Sequence, residues 1–331
     1  MSALVAAARG GERRAVARLV SLVEDDSPAL AGVMAALGPT GRTASVVGIT
    51  GSPGVGKSTS TSALVSVLRA RGSRVAVLAV DPSSPFTGGA LLGDRVRMTE
   101  HAGDPGVFIR SLASRGQLGG LSAATPRAAR VLDAVGFDVI IIETVGVGQA
   151  EVDIAALADT TVVVLAPGLG DGIQAAKAGI LEIADVFVVN KADRPGARET
   201  ASELRRMLGM AAQVAAGGDG GWRPPVLMTV SSRSEGLAEL ADAVAEHRAW
   251  LEAAGELTRR RRRRAAEEIT RVALDTLRAR MTAARPGVGL DALAERVGAG
   301  ELDPYAAAAT VLDRLGVGSG AEAGAGSDRA R

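Results

Sequence analysis

The 331-residue chain contains no cysteine and only two histidines, His101 and His247. Without thiols there is no disulfide, no thiolate metal site and no cysteine nucleophile, and two imidazoles do not build a structural zinc site. The formal net charge is only +1, with acids and bases interspersed, so no electrostatic footprint points to nucleic acid. Long apolar runs are also missing. The longest, residues 162–167 and 139–142, have the length of strands, far short of the roughly 20 residues of a membrane span. Residues 1–20 carry Arg9, Arg13, Arg14 and Arg18 among alanines and lack the apolar core and cleavage site of a secretory signal. The expectation is a soluble, cytoplasmic protein whose main partners are neither nucleic acid nor membrane. Lysine is scarce too: Lys57, Lys177 and Lys191 are the only ones among 38 basic residues. If arginine serves wherever any cation will do, these three mark places where a compact ammonium differs from a planar guanidinium.

What is present starts with Gly51-Ser52-Pro53-Gly54-Val55-Gly56-Lys57-Ser58, set between the apolar run Ser45 to Thr50 and a helical pattern from Thr59 to Arg69. This is G-x-x-x-x-G-K-S in a strand–loop–helix setting. Its glycines let successive amide N–H groups turn toward phosphate oxygens, and the helix adds its positive N-terminal end. Lys57 would reach the β- and γ-phosphates, and the Ser58 hydroxyl would ligate Mg²⁺.

From Thr43 to about Ala249, short β-branched runs alternate with helical patterns. The runs are 46–50, 75–80, 107–112, 139–143, 161–166, 186–190 and 226–230. They are nearly continuous in apolar residues, as strands covered on both faces are. The expected fold is therefore α/β: a P-loop NTPase-type three-layer sandwich with a mostly parallel sheet and helical extensions at both ends. Residues 1–42 read as a helical segment broken at Asp25 to Pro28, with Val16, Leu19, Val20 and Val23 on one face. Residues 43–250 form the nucleotide-binding domain, 251–316 a helical arm, and 317–331 a Gly/Ala/Ser-rich tail expected to be disordered. Arg259 to Arg264 is a six-arginine run. It reads as a solvated helix face near Glu267 and Glu268 rather than a phosphate or RNA site.

Asn190-Lys191-Ala192-Asp193 follows an apolar strand about 130 residues after the phosphate loop. The Asp193 carboxylate can accept from guanine N1–H and its exocyclic amine, where adenine has no donors. Two such charge-assisted bonds, at about 1.5–3 kcal/mol each, make GTP the expected nucleotide rather than ATP. Lys191 would lie along the base, Asn190 would tie this loop to the phosphate loop, and Ser231 would support the base. Glu143-Thr144-Val145-Gly146 closes a strongly apolar strand and occupies a D-x-x-G position with Glu in place of Asp. Glu143, Asp81 and Asp94 are the candidate metal-side carboxylates, beside Ser58. The Gly146 N–H is expected on the γ-phosphate. Val147 stands where many small GTPases place the glutamine that orients the attacking water. Gln149 and Gln174 are possible substitutes, and slow intrinsic hydrolysis is expected. Asp171, Gln174 and Lys177 lie in a glycine-flanked stretch that would reach the γ-phosphate or a partner, or else simply begin an exposed helix.

Taken together, GSPGVGKST, AVDPSSPFTGGALLGDRVRM, FIRSLASRGQLGGLS, IIETVGVGQAEVDIAALAD, GDGIQAAKAGILEIADVFVVNKAD, RRRRRRAAEE and ELDPYAAAATVL resemble the methylmalonyl-CoA mutase-associated GTPases of the MeaB type. The resemblance spans about residues 10–315. It implies GTP/GDP with Mg²⁺ as ligands, with Lys57, Ser58 and Thr59 at the phosphates and Asp81, Asp94 and Glu143 on the metal side. It also implies three switches, around Asp94, Gly146 to Gln149, and Asp171 to Lys177. A homodimer through the C-terminal helices and an adenosylcobalamin-dependent acyl-CoA mutase as partner follow from the same likeness, with the GTPase gating cofactor loading and protecting the mutase. Rival readings are a nickel-insertion GTPase, for which the chain has almost no thiol or imidazole ligands, an ATP-dependent kinase or transport-coupled ATPase, and a module in which nucleotide only stabilises the fold.

Overall fold

The computed structural model describes residues 1–25, 27–38, 43–81, 98–113, 124–144, 150–168, 181–214, 221–283 and 289–316. Seven strands form a single sheet: β1 (Ser45–Thr50), β2 (Val75–Asp81), β3 (Val107–Ala113), β4 (Val139–Thr144), β5 (Thr160–Leu165), β6 (Val186–Val189) and β7 (Val226–Met228). The order is β3-β2-β4-β1-β5-β6-β7, and every neighbouring pair is parallel. The strands match the seven apolar runs to within a few residues at their ends.

Strand parity explains why the runs are continuous. Ala76, Leu78 and Val80 of β2 enter one core together with Ile140 and Ile142 of β4. Val75 and Val77 of β2 and Ile141 of β4 enter the core on the opposite face. Successive side chains point to opposite faces, so apolar cover on both sides requires apolar residues at every position. The first face is covered by α1 (Ser2–Arg9), α2 (Arg13–Glu24), α3 (Leu30–Leu37), α5 (Ala124–Ala134) and α6 (Ala150–Leu157), which contributes Ile154. Further along that sheet, Leu204 of α7 (Ala197–Val214) packs against Phe187. The second face carries α4 (Lys57–Ala70) and α8 (Leu237–Ala253). Val16, Leu19, Val20 and Val23, the stripe read from the sequence, are at most 2 % exposed. A break absent from the sequence reading separates α1 from α2 at Gly10-Gly11.

The chain forms two compact units, Met1–Arg261 and Arg262–Arg331. The boundary falls within α9 (Glu256–Ala283). In the second unit Leu293 of α10 (Leu290–Gly298) and Val311 of α11 (Pro304–Arg314) form a small core with Met281, Leu290, Leu302, Ala307 and Leu315. Asp303 caps α11 by accepting from the Tyr305 and Ala306 N–H groups at 2.9 and 3.0 Å, next to Pro304 at the first helical position.

The arginine run departs from expectation. Arg259, Arg262 and Arg263 are exposed, but Arg260 and Arg261 are half-buried and Arg264 is buried. The Arg261 Nη2 donates to Asp159 Oδ2 at 2.8 Å and to the Ala44 carbonyl at 2.9 Å. Arg260 donates to both Asp185 oxygens, at 3.1 and 3.3 Å, and to the Asp159 carbonyl at 3.0 Å. Asp159 and Asp185 immediately precede β5 and β6, where each also accepts from a strand N–H, that of Val46 and that of Thr161. Consecutive helix positions point about 100° apart, so Arg260 and Arg261 reach the base of the sheet while Arg259, Arg262 and Arg263 meet water.

Candidate phosphate and base site

The phosphate loop leaves β1 at the C-terminal edge of the sheet and enters α4, between strands whose connections run to opposite sides. This is where open α/β sheets hold their ligands. Two glycines make the turn possible. Gly51 has φ +139°, and a Cβ there would lie 2.1 Å from the Val164 carbonyl oxygen. Gly56 has φ +98°, and its Cβ would meet Asn190 Nδ2 at 2.5 Å. The loop thus curls tightly against β5 on one side and the N-K-x-D segment on the other.

Lys57 is buried at 7 % exposure, and its ammonium donates to the Gly51 and Ser52 carbonyls at 2.8 and 3.1 Å. It spans the curl that Ser52, Pro53, Gly54 and Val55 describe. Ser58, in the first turn of α4, donates to Glu143 Oε1 at 2.6 Å. Glu143 is 3 % exposed near the end of β4, and Asp81 is 5 % exposed at the end of neighbouring β2. Thr144 donates to Thr50 at 2.9 Å, fastening the ends of β4 and β1. Thr59 is exposed.

Asn190 joins the two halves of the site. Its Nδ2 donates to the Val55 carbonyl at 2.8 Å, while its Oδ1 lies within 3.1 Å of the Thr229 hydroxyl, the Ser231 N–H and the Ser231 hydroxyl. Lys191, in the left-handed region at φ +57°, donates through Nζ to the Gly54 carbonyl at 2.6 Å. Two of the three lysines are therefore bound to phosphate-loop carbonyls. Asp193 is exposed, with Arg233 Nη1 at 3.8 Å. Asp94, Gly146, Val147, Gln149, Asp171, Gln174 and Lys177 lie outside the described residues.

Three contributors escaped the sequence reading. Ser60, fully buried on α4, contacts Ser231 Oγ at 2.7 Å. Thr229 braces Asn190, and Val164 sets the ceiling over Gly51. The run Ser58-Thr59-Ser60-Thr61-Ser62 was a visible signal, since hydroxyls this dense in a helix need partners. Which way each one points was not visible.

The Ser58 hydroxyl and the Glu143 carboxylate, touching at the head of α4, are hard oxygen donors suited to Mg²⁺. Among the described residues no group of three or more His, Asp or Glu side chains is placed to hold a metal ion. Mg²⁺ bound through one or two protein oxygens, with phosphate and water completing its shell, does not need one.

Comparison with known proteins agrees with this geometry. A protein of Pyrococcus abyssi carrying a GTPase designation is 48 % identical over 317 residues, 96 % of this chain and 97 % of the relative. The mouse mitochondrial methylmalonic aciduria type A homolog is 39 % identical over 221 residues, 65 % of this chain and 52 % of its own. A crystal structure of an LAO/AO transport system kinase superposes with a TM-score of 0.66 at 27 % identity, covering 95 % of both chains. The family described as methylmalonyl Co-A mutase-associated GTPase MeaB matches residues 16–286, and the chain belongs to that family of P-loop GTPases.

Proposed function

We propose that the chain binds GTP with Mg²⁺, hydrolyses it slowly, and serves an adenosylcobalamin-dependent acyl-CoA mutase as a chaperone that gates cofactor loading and protects the mutase. The observation that carries the guanine reading is the Asn190-to-Val55 hydrogen bond. It puts the Asp193 loop and the phosphate loop at one edge of the sheet, as a single nucleoside triphosphate requires. Lys57 would hold the β- and γ-phosphates, the phosphate-loop amides from Ser52 to Thr59 would line them, and Ser58, Glu143 and Asp81 would hold Mg²⁺. The ion would supply charge neutralisation at the phosphates.

The mutase role is supported by the family's description and by the mouse relative's name. The exposed apolar side chains Ile269, Val272 and Leu274 on α9 support a homodimer through the C-terminal helices. Among the described residues no helix is long and apolar enough to cross a membrane, which suits a cytoplasmic site of action.

Asp193→Asn should lose guanine-nucleotide affinity and gain xanthine-nucleotide affinity, measured by competition titration. Unchanged GTP binding in the variant, or ATP displacing GTP at equal concentration, rejects the guanine reading. GTP turnover measured with and without a cobalamin-dependent acyl-CoA mutase tests the partner. A rate unmoved by methylmalonyl-, isobutyryl- and ethylmalonyl-type mutases alike removes the chaperone role.

A further inference from the structure

We infer that Ser60 is a positioning residue for nucleotide binding, bracing the phosphate loop against the base-reading loop through a hydroxyl bridge to Ser231. The inference rests on the guanine-nucleotide reading and deepens it. Ser60 is fully buried and Ser231 is 4 % exposed. Their Oγ atoms are 2.7 Å apart. At the far ends, Ser60 Oγ lies 3.0 Å from the Gly56 carbonyl oxygen and Ser231 Oγ lies 2.8 Å from Asn190 Oδ1.

Each hydroxyl has one proton, so these three contacts cannot all be donated at once. Two arrangements balance. In one, Ser231 donates to Ser60 and Ser60 donates to the Gly56 carbonyl, leaving Asn190 Oδ1 to accept from the Ser231 N–H and the Thr229 hydroxyl, both at 3.1 Å. In the other, Ser60 donates to Ser231, which donates to Asn190 Oδ1. Both keep the central bond and differ only in which loop receives the last proton. The Asn190 Nδ2 bond to Val55 closes the ring. Segments following β1, β6 and β7 are thereby held at one spacing by a buried network with few spare partners.

A fixed spacing matters only to a ligand gripped at both ends. For such a ligand the loops need no ordering on binding, which is the advantage of preorganisation. A ligand that touches one end gains nothing from it. GDP, guanosine and inorganic pyrophosphate separate the cases, and GDP avoids turnover.

Affinities would be measured by calorimetry or by competition against labelled GDP, for wild type, Ser60→Ala, Ser231→Ala and the double variant. One buried hydroxyl bond lost should weaken GDP about five- to tenfold in Ser60→Ala, with guanosine and pyrophosphate changed less than about twofold. In GDP affinity the double variant should match Ser231→Ala alone, because the bridge that Ser60→Ala deletes is already lost there. Equal weakening of all three ligands, additive losses in the double variant, or unchanged GDP affinity would overturn the brace. If Ser60→Ala does not fold, Ser60→Cys, which keeps the side-chain volume and weakens the hydrogen bond, carries the same test: an unchanged ratio of GDP to guanosine affinity in it removes the brace. Failure of the guanine reading itself appears separately, as Asp193→Asn leaving base preference unchanged in an otherwise native chain.

Discussion

Buried carboxylates stand at both ends of the same sheet, in opposite company. At the N-terminal ends of the strands, Asp159 is 0 % exposed and has Arg261 at 2.8 Å and Arg248 at 3.7 Å. Asp185 has Arg260 at 3.1 Å and His247 Nε2 at 3.2 Å. His247 is in turn flanked by Trp222 and Trp250, and Trp222 donates to the Asp185 carbonyl at 2.7 Å. At the C-terminal ends, Glu143 takes its 2.6 Å hydrogen bond from the neutral Ser58 hydroxyl, beside the phosphate loop. The base spends its charges on one another and holds β1, β5, β6 and α9 together. At the other edge Glu143 lies against a hydroxyl at the head of α4, a donor pair suited to a cation. Asp159 and Asp185 close the base of the sheet through arginine, while Glu143 takes a hydroxyl of the helix that follows the phosphate loop.

Substitutions sharpen this contrast. Asp159→Ala should have the largest effect on stability, about 3–5 kcal/mol, because it leaves the guanidinium groups of Arg248 and Arg261 without their buried counter-charge. Denaturant unfolding measures it, and a loss below about 1 kcal/mol, the level of exposed pairs, would erase the distinction between the edges. Ser58→Ala should cost less in stability, about 1.5–3 kcal/mol for one hydrogen bond to a charged group. It should lower Mg²⁺ affinity in the presence of GDP at least about tenfold, read by Mg²⁺ titration. A variant equally damaged in both respects would make Ser58 a structural residue like those at the base.

The smallest effect is in the pH dependence of Asp185. Burial pushes its carboxyl up, but the contacts with His247 and Arg260 outweigh burial and hold it below the usual carboxylate range. A lowered folded-state value means that its contribution is fully present above the ordinary aspartate value of about 3.9. The contribution is lost as the pH falls through that value toward the lower one of the folded protein. Melting temperatures of wild type and Asp185→Asn should therefore converge as the pH drops through this acid window and stay parallel above about pH 5. A constant separation across the window would mean that Asp185 is not favoured as the anion.

Much of the site could be read along the chain, because its chemistry is carried by short contiguous stretches. Gly51 to Ser58 and Asn190 to Asp193 each follow a strand, and a parallel sheet brings all strand C-terminal ends to one edge. Asn190 was expected to join these stretches, and it bonds to Val55. The Ser60–Ser231 contact spans 171 positions, and nothing local in either serine specifies the other. The arginine run misled for the same reason. Composition marks six cations, but only packing against Asp159 and Asp185 sorts Arg260 and Arg261 from their exposed neighbours.

The sequence by itself determined the parallel α/β architecture, the curl of the phosphate loop and the place of the N-K-x-D motif after a strand. Backbone preference, apolar periodicity and motif spacing act over a few residues and survive without knowledge of neighbours. Tertiary structure alone decided which hydroxyls of α4 brace the loops, which arginines close the base of the sheet, and which buried acids are neutralised. These are pairings across tens to hundreds of residues, and their energies depend on distance and burial rather than on residue type.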